Sequence, residues 1–467
     1  MLNRLEELIG KNIYMIGIGG SSMSGLALML KKLGCNVSGS DKTASHKTAH
    51  LQEEGINVFI GHDGKNIEGA DYIIYSAAIS SENPERKAAF QNGIPQIERC
   101  DLIGMLMKHF KSSYAVAGTH GKTTTTAMLA QTFLKCGEDP AIHIGGELPF
   151  LGGSSRIGDN NDSFICEACE FNKSFLHFFP TTAIILNIDE DHLDCYKDID
   201  DIENAFLDFA HLVPKDGLVI GCGDDKRVRN VLSKLSCRTM LYGLEPFNEL
   251  RAEDISYDEL GKAHFTATLF GHPLTEVWLS VPGEHNIKDA LAVIAAANDA
   301  QLPMGLVSDA LGDFTGVKRR YELTSITDGV ALYQDYGHNP TEIKNVLSVA
   351  RVQAKGKLWS VFQPHTYSRT KALFEGFLTC FDDADTVLVT DICGAREVDP
   401  GDINSRMVVD ALIKHGINAH LTPSFDDAEA YLRANWAKGD SVVTHGCGDI
   451  YLLNEQIALH GDSVRRT

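Results

Sequence analysis

The apolar run 114–117, YAVA, passes without a break into GTHGKTT at 118–124, and apolar residues then recur at Ala127, Met128 and Leu129 with helical spacing. This succession constrains the chain more than any other feature. A glycine turn leading from a buried strand into a helix lets backbone N–H groups approach a phosphate, and the helix N-terminus adds positive potential. The common form of the motif is GxxxxGK[ST] between strand and helix. Here Gly118 stands only three residues before Gly121, so the loop is a shortened variant. In such a loop Lys122 is expected to contact the β- and γ-phosphates of a nucleotide, and the Thr123 hydroxyl to ligate Mg2+.

The rest of the chain reads as the α/β architecture such a loop needs. Its 467 residues are enough for two to four domains, and three glycine-punctuated blocks can be marked out. Block 1–112 has apolar runs at 13–18, 36–39, 72–76 and 94–97, with a helical pattern over 24–32. Block 113–313 has strand candidates at 114–117, 163–166, 183–187 and 218–220, an alternating region over 240–280 that reads as a small β region, and the strongly periodic LAVIAAANDA. Block 314–467 has strand candidates at 331–334, 358–362, 386–390 and 441–444. Strands alternating with helices predict an α/β fold of three domains, each on a mostly parallel sheet. The first and third domains are expected to be Rossmann-like and the central one P-loop ATPase-like. Ligands in such sheets gather at the carboxyl ends of the strands.

Chemistry-bearing residues sit at those ends. The run 163–166 ends in Glu167, and the run 183–187 leads into IDEDHLD at 188–194. Carboxylate oxygens suit a hard cation, and the imidazole of His192 is a possible supplementary ligand. Near the start, GIGGSSMSG (17–25) follows an apolar run, and Asp41 arrives about twenty residues later, where dinucleotide folds place an acid on a ribose. An oxidoreductase is therefore a competing class. A second phosphate loop with carboxylate and histidine beside it is not expected of a dehydrogenase, and the same turn can cradle the pyrophosphate of a nucleotide sugar.

A formal net charge of −21 argues against a general nucleic-acid binder. The eleven cysteines, an odd number, fit reduced thiols in a cytosol. Cys166 and Cys169 have CxxC spacing without a second pair, so they read as strand-end packing beside Glu167. The longest apolar stretches are too short and interrupted to span a bilayer, and the N-terminal residues show no secretory pattern. A cytoplasmic protein is expected.

Taken together, GTHGKTT, Glu167 and NIDEDHLD (187–194) resemble the Mur ligase family, which joins amino acids to UDP-linked muramic acid in bacterial cell-wall synthesis. Further matches follow in order: PGEHN at 282–286, GVKRR at 316–320 and DYGHNP at 335–340. The resemblance runs over essentially the whole chain. GIGGSSMSG and FQPHTYSRTK (362–371) resemble the branch that adds L-alanine to UDP-N-acetylmuramate. The close alternative is the recycling ligase that adds a whole tripeptide to the same nucleotide sugar.

The resemblance implies an ATP-dependent carbon–nitrogen ligase working through an acyl-phosphate, with Mg2+ as cofactor and ATP, UDP-N-acetylmuramate and L-alanine as substrates. Domain 1–112 would hold the UDP-sugar, 113–313 ATP and 314–467 the amino acid. Gly118, Thr119, His120, Gly121, Lys122, Thr123 and Thr124 would hold ATP, and Thr123, Glu167 and His192 the metal. His285, Asn286 and Asp289 lie where the adenine is expected. Arg320 would touch the γ-phosphate and Asp335 the nucleotide. His338, His365 and Arg369 would sit near the alanine, with Lys122, Arg320, His338 and His365 carrying the chemistry. Gly19, Gly20, Ser22 and Met23, with Asp41, His62 and Ser76, would line the UDP-sugar site. A monomer or weak homodimer, with neither nucleic acid nor a membrane span, is expected. The chain departs from the family pattern at Cys169 (often Asp), Asp289 (often Asn), Asn339 (often His) and Thr366 (often Arg). A carboxylate at 289 cannot donate as an amide does, and Thr366 removes one grip on the alanine carboxylate.

Overall fold

A computed structural model describes residues 4–148, 150–191, 195–395 and 397–465. His192 therefore lies outside the described residues, as do Leu193 and Asp194.

The chain builds three sheets of five, ten and seven strands. In the first, Asn12–Ile16 lies at the centre, with Asn36–Asp41 and then Asn57–Ile60 on one side and Tyr72–Tyr75 and then Gln96–Glu98 on the other, all parallel. The order reverses at Asn12–Ile16, so a crevice opens beyond its carboxyl end, the usual ligand position in such sheets. The glycine turn falls there. Gly17 takes φ 75°, a left-handed conformation, and Gly20 caps the helix Ser21–Lys32.

The second sheet places the phosphate-loop strand Ser112–Ala117 between Thr182–Ile185 and Ser163–Ala168, parallel to both. Both strand ends singled out in the sequence therefore flank the loop. Ala141–Leu148 pairs parallel with Ser163–Ala168 and antiparallel with Gly153–Arg156 at the edge. At the far edge the alternating region forms an antiparallel meander, Leu250–Tyr257, Lys262–Leu269 and His272–Pro282. The helix Glu284–Asp299 buries an unbroken apolar run over 290–297 and shares one core with the phosphate-loop helix Lys122–Lys135.

In the third sheet Ala419–Leu421, Thr386–Val389, Leu358–Phe362, Ser441–His445 and Val330–Asp335 are parallel, and Glu322–Thr327 and Ser463–Arg465 add antiparallel. The short and mixed-polarity strands at the sheet edges, such as Ala419–Leu421 and Gly153–Arg156, have no apolar run to announce them. All eleven cysteines are free, and Cys166 is fully buried strand packing. Among the described residues no helix is long and apolar enough to cross a membrane.

Candidate active site

The phosphate loop is shaped by two glycines that no other residue could replace without strain. Gly118 has φ 147°, and a Cβ there would stand 2.9 Å from Leu186 Cβ. Gly121 has φ 83° and would press on Asp289 Oδ1 at 3.1 Å. The neighbouring strand end clamps the turn. Asn187 Oδ1 accepts from His120 N at 2.8 Å and its Nδ2 donates to His120 O at 3.1 Å, while Asp189 N donates to Thr119 Oγ1 at 2.9 Å. Lys122 Nζ curls back onto the Gly118 and Thr119 carbonyls and pairs with the buried Glu170 at 3.0 Å. A carboxylate thus occupies the partner position of the loop lysine.

Thr123 and Glu167 both lie against the glycine pair 145–146 of the strand Ala141–Leu148. Gly145 N donates to Glu167 Oε1 at 3.0 Å, and a Cβ on Gly146 would lie 2.9 Å from Thr123 Cγ2. Thr123 and Glu167 both carry oxygen donors of the kind a hard divalent cation takes. Among the expected metal ligands His192 lies outside the described residues.

Beneath the loop, Asp289 is buried in the helix Glu284–Asp299, and burial pushes its carboxyl up to about 7 despite the nearby Thr125 hydroxyl and the charges of Arg320 and Lys288. Near neutral pH a protonated Asp289 can donate one hydrogen bond, as the family's usual asparagine does. His285 is held neutral: burial and then Lys288 bring it down to about 4. Asn286 Nδ2 donates to Pro282 O at 2.7 Å and lies 3.2 Å from His285 Nε2. The third-domain helix Pro340–Gln353 closes this side, since a Cβ on Gly283 would meet Val349 Cγ2 at 2.8 Å.

The third domain meets the loop through one cluster. Glu342 lies 3.4 Å from His120 Nδ1, 3.8 Å from Arg320 Nη1 and 3.6 Å from His338 Nδ1. His120 Nε2 is 3.1 Å from Asp189 Oδ2. Burial opposes charge on His120, but the hydrogen bond with Asp189 and the facing Glu342 carboxylate outweigh it and raise the imidazole to about 9. Asp335 turns inward: its two carboxylate oxygens accept from Tyr321 N (2.8 Å) and Gly337 N (2.6 Å). His338 stands edge-on to His365, with ring centroids 6.5 Å apart, and Arg369 lies 3.3 Å from both His365 Nδ1 and Asp191 Oδ1.

The chain matches the Mur ligase family, catalytic domain, over residues 12–111, the Mur ligase middle domain over 116–297, and the Mur ligase, glutamate ligase domain over 319–448. It belongs to the Mur ligase family. A UDP-N-acetylmuramate–L-alanine ligase from Acetivibrio thermocellus is 46% identical over 95% of each chain. The solved UDP-N-acetylmuramate-alanine ligase of Thermotoga maritima is 27% identical, with a TM-score of 0.81 over 96% of this chain and 99% of that one. A solved ligase from Neisseria, named for UDP-N-acetylmuramate and L-alanyl-γ-D-glutamyl-meso-diaminopimelate, is 31% identical over 66% of this chain and 99% of that one, with a TM-score of 0.60.

In this Mur ligase the residues expected around the sugar also form a network. Gly19 N donates to Asp41 Oδ2 at 2.9 Å. Arg99 Nη1 donates to Ser22 Oγ at 3.1 Å, and Ser22 Oγ lies 2.8 Å from Nε2 of the buried His143 in the central domain. Burial and then Arg99 bring His143 down to about 3, so the ring is neutral, and its Nδ1 lies 2.8 Å from Ser155 Oγ. His62 Nδ1 is 2.9 Å from Glu85, a fully buried carboxylate also bonded by Tyr14, Ser40 and Asn66. Met23 is buried in the core, with its side chain against Gly20 of the turn, and Ser76 is half-buried just past Tyr72–Tyr75. Sequence reasoning missed Glu170, Glu342, His143 and Glu85. Only Glu342 left a trace, as the third residue after Asn339 in an N-x-x-E capping pattern.

Proposed function

We infer that this Mur ligase joins L-alanine to the lactyl carboxylate of UDP-N-acetylmuramate, with ATP converted to ADP and phosphate, as a step of peptidoglycan synthesis. The reading is carried by the near-complete match at 46% identity to a ligase named for that reaction. The junction of phosphate loop and third domain supplies the chemistry it needs. On this reading the first domain (1–112) holds the nucleotide sugar at Gly19, Gly20, Ser22, Met23, Asp41, His62 and Ser76. The central domain (113–313) holds ATP at 118–124, with the adenine against His285, Asn286 and Asp289.

The sugar carboxylate attacks the γ-phosphorus of ATP and ADP leaves, giving an acyl-phosphate. Lys122 turns from Glu170 to the β- and γ-phosphates, and Arg320 faces the charge of the transferring group. Thr123 and Glu167, with His192, would hold Mg2+, which supplies charge neutralisation across the phosphates. Asp335 holds the Tyr321 and Gly337 amides, which sets the path of the chain next to Arg320.

The alanine amine then attacks the acyl carbon, and phosphate leaves. Its proton needs an acceptor. His338 is kept neutral by burial, and its Nδ1 lies 3.1 Å from the Tyr336 carbonyl, which can only accept. Nδ1 therefore carries the hydrogen, and Nε2 is free to take the amine's proton. Arg369 and His365 would face the alanine carboxylate, with Thr366 leaving Arg369 to grip it alone. Closure of the domains would keep water from the acyl-phosphate.

Phosphate release with ATP and Mg2+ tests the reading. Release should require both UDP-N-acetylmuramate and L-alanine. Release that needs the tripeptide instead would transfer the chain to the recycling reaction, and release without any sugar would reduce it to an NTPase.

A further inference from the structure

We propose that Glu342 is a positioning residue that couples the phosphate loop to the proton acceptor, so that His338 is held ready only when the third domain is seated against the nucleotide-binding loop. This rests on the assignment of His338 as the base.

The argument begins with local structure. Asn339 caps the helix Pro340–Gln353, and Glu342, three residues on, completes a capping box. A capping glutamate needs one oxygen, and here Oε2 serves: it accepts from His338 N at 3.0 Å and Asn339 N at 3.4 Å and faces His338 Nδ1 at 3.6 Å. The other oxygen has no role in the cap. Oε1 points across the domain boundary to His120 Nδ1 at 3.4 Å and toward Arg320 Nη1 at 3.8 Å. One carboxylate therefore divides its oxygens between the nucleotide side and the base side. The Glu342 side chain is 14% exposed and the His120 side chain 13%, so these charges act with little screening.

Ionisation of Glu342 is secured by its partners. Burial alone would favour the acid, but His120, His338 and Arg320 hold the carboxyl well below the usual range. The groups facing His338 come from several elements. Glu342 lies on the helix that follows it, the Tyr336 ring and carbonyl precede it, His365 and Arg369 follow the strand Leu358–Phe362, and Asp191 follows Thr182–Ile185 in the central domain. Burial and Arg369 weaken His338 as a base, while Glu342 and Asp191 strengthen it. Glu342 also favours hydrogen at Nδ1, which keeps Nε2 open to the amine.

Glu342→Gln tests this, because glutamine also closes a capping box and leaves the fold intact while removing the charge. The expected result is a melting temperature close to the parent's, kcat lowered by about tenfold or more, an acid limb of the kcat–pH profile displaced to lower pH, and a raised KM for ATP with an unchanged KM for the nucleotide sugar. Glu342→Asp should recover part of kcat. A variant with parental kcat and an unmoved acid limb would overturn the proposal. So would a lowered melting temperature with an unmoved limb, since that marks the cap alone. His338→Ala separates the two layers: an inactive His338→Ala beside an unmoved Glu342→Gln limb overturns only the role of Glu342, and an active His338→Ala overturns both.

Discussion

At the scale of single residues, burial sets what each group can do. Lys122 is the clearest case, because its buried ammonium is held by Glu170 and two loop carbonyls. Lys122→Ala should lower turnover by at least about 10²-fold with the circular dichroism spectrum unchanged, and near-normal phosphate release would take the loop out of the mechanism. Asp289 gives a stability prediction. Its folded-state value of about 7 is above its ordinary one, so folding takes up a proton, and the group's contribution declines as pH climbs from about 4 through 7. Asp289→Asn removes that decline. Urea midpoints should show the variant gaining on the order of 1–3 kcal/mol at pH 8.5, and markedly less at pH 5.5. On the proposed amino-acid side, Arg369 has Thr366 nearby where the family often has a second arginine. Arg369→Ala should raise the KM for alanine about tenfold or more, the loss of one charge-assisted pair, and equal effects on the ATP KM would argue against an alanine-side role.

At the scale of elements, what matters is how each one is started and what it is pinned to. The helix Pro340–Gln353 begins at Asn339, whose side chain accepts from Thr341 N at 3.0 Å while its Nδ2 reaches Glu190 O at 3.3 Å across the domain boundary. Where the family often has histidine, this chain thus has a cap that also docks. Asn339→Ala should cost about 1 kcal/mol in urea denaturation, and its catalytic defect should be smaller than that of Glu342→Gln. The strand Ala141–Leu148 has a comparable double duty. His143 near its start reaches Ser22 in the first domain, and Gly145 and Gly146 near its end touch Glu167 and Thr123. One strand therefore links Ser22 of the first domain to the surroundings of the phosphate loop, although its AIHIGGEL reads as neither a clean alternation nor a long apolar run.

For the whole molecule, the central domain is held from both sides by polar contacts: Ser22–His143 and Asp101–His177 toward the first domain, and His120–Asp189–Thr341 with Glu342 toward the third. The third-domain contact depends on pH with a definite sign. His120 is raised to about 9, so its charge stabilises the closed arrangement fully below about 6.5, and that contribution is lost as pH rises through 9. Between pH 6.5 and 10 the parent should lose on the order of 1–3 kcal/mol that His120→Asn does not lose, read as a flatter melting-temperature profile in the variant. A parallel decline in both would remove His120 from the interface. Much of this protein was already decided by its sequence. The fold class followed from apolar runs alternating with helical periodicity, and the phosphate loop from a strand, two glycines, a lysine and a helix adjacent in the chain. Those signals are local, because backbone conformation and strand burial are set by near neighbours. Tertiary structure alone decided the partners. Glu170 beneath Lys122, His143 beside Ser22, Glu85 behind His62 and Glu342 against His120 are each separated along the chain by 23 to more than 200 residues, and their meaning is a distance in a low-dielectric junction. A carboxylate reads the same in sequence whether it caps a helix in water or holds two domains together, and only the packing around it distinguishes the two.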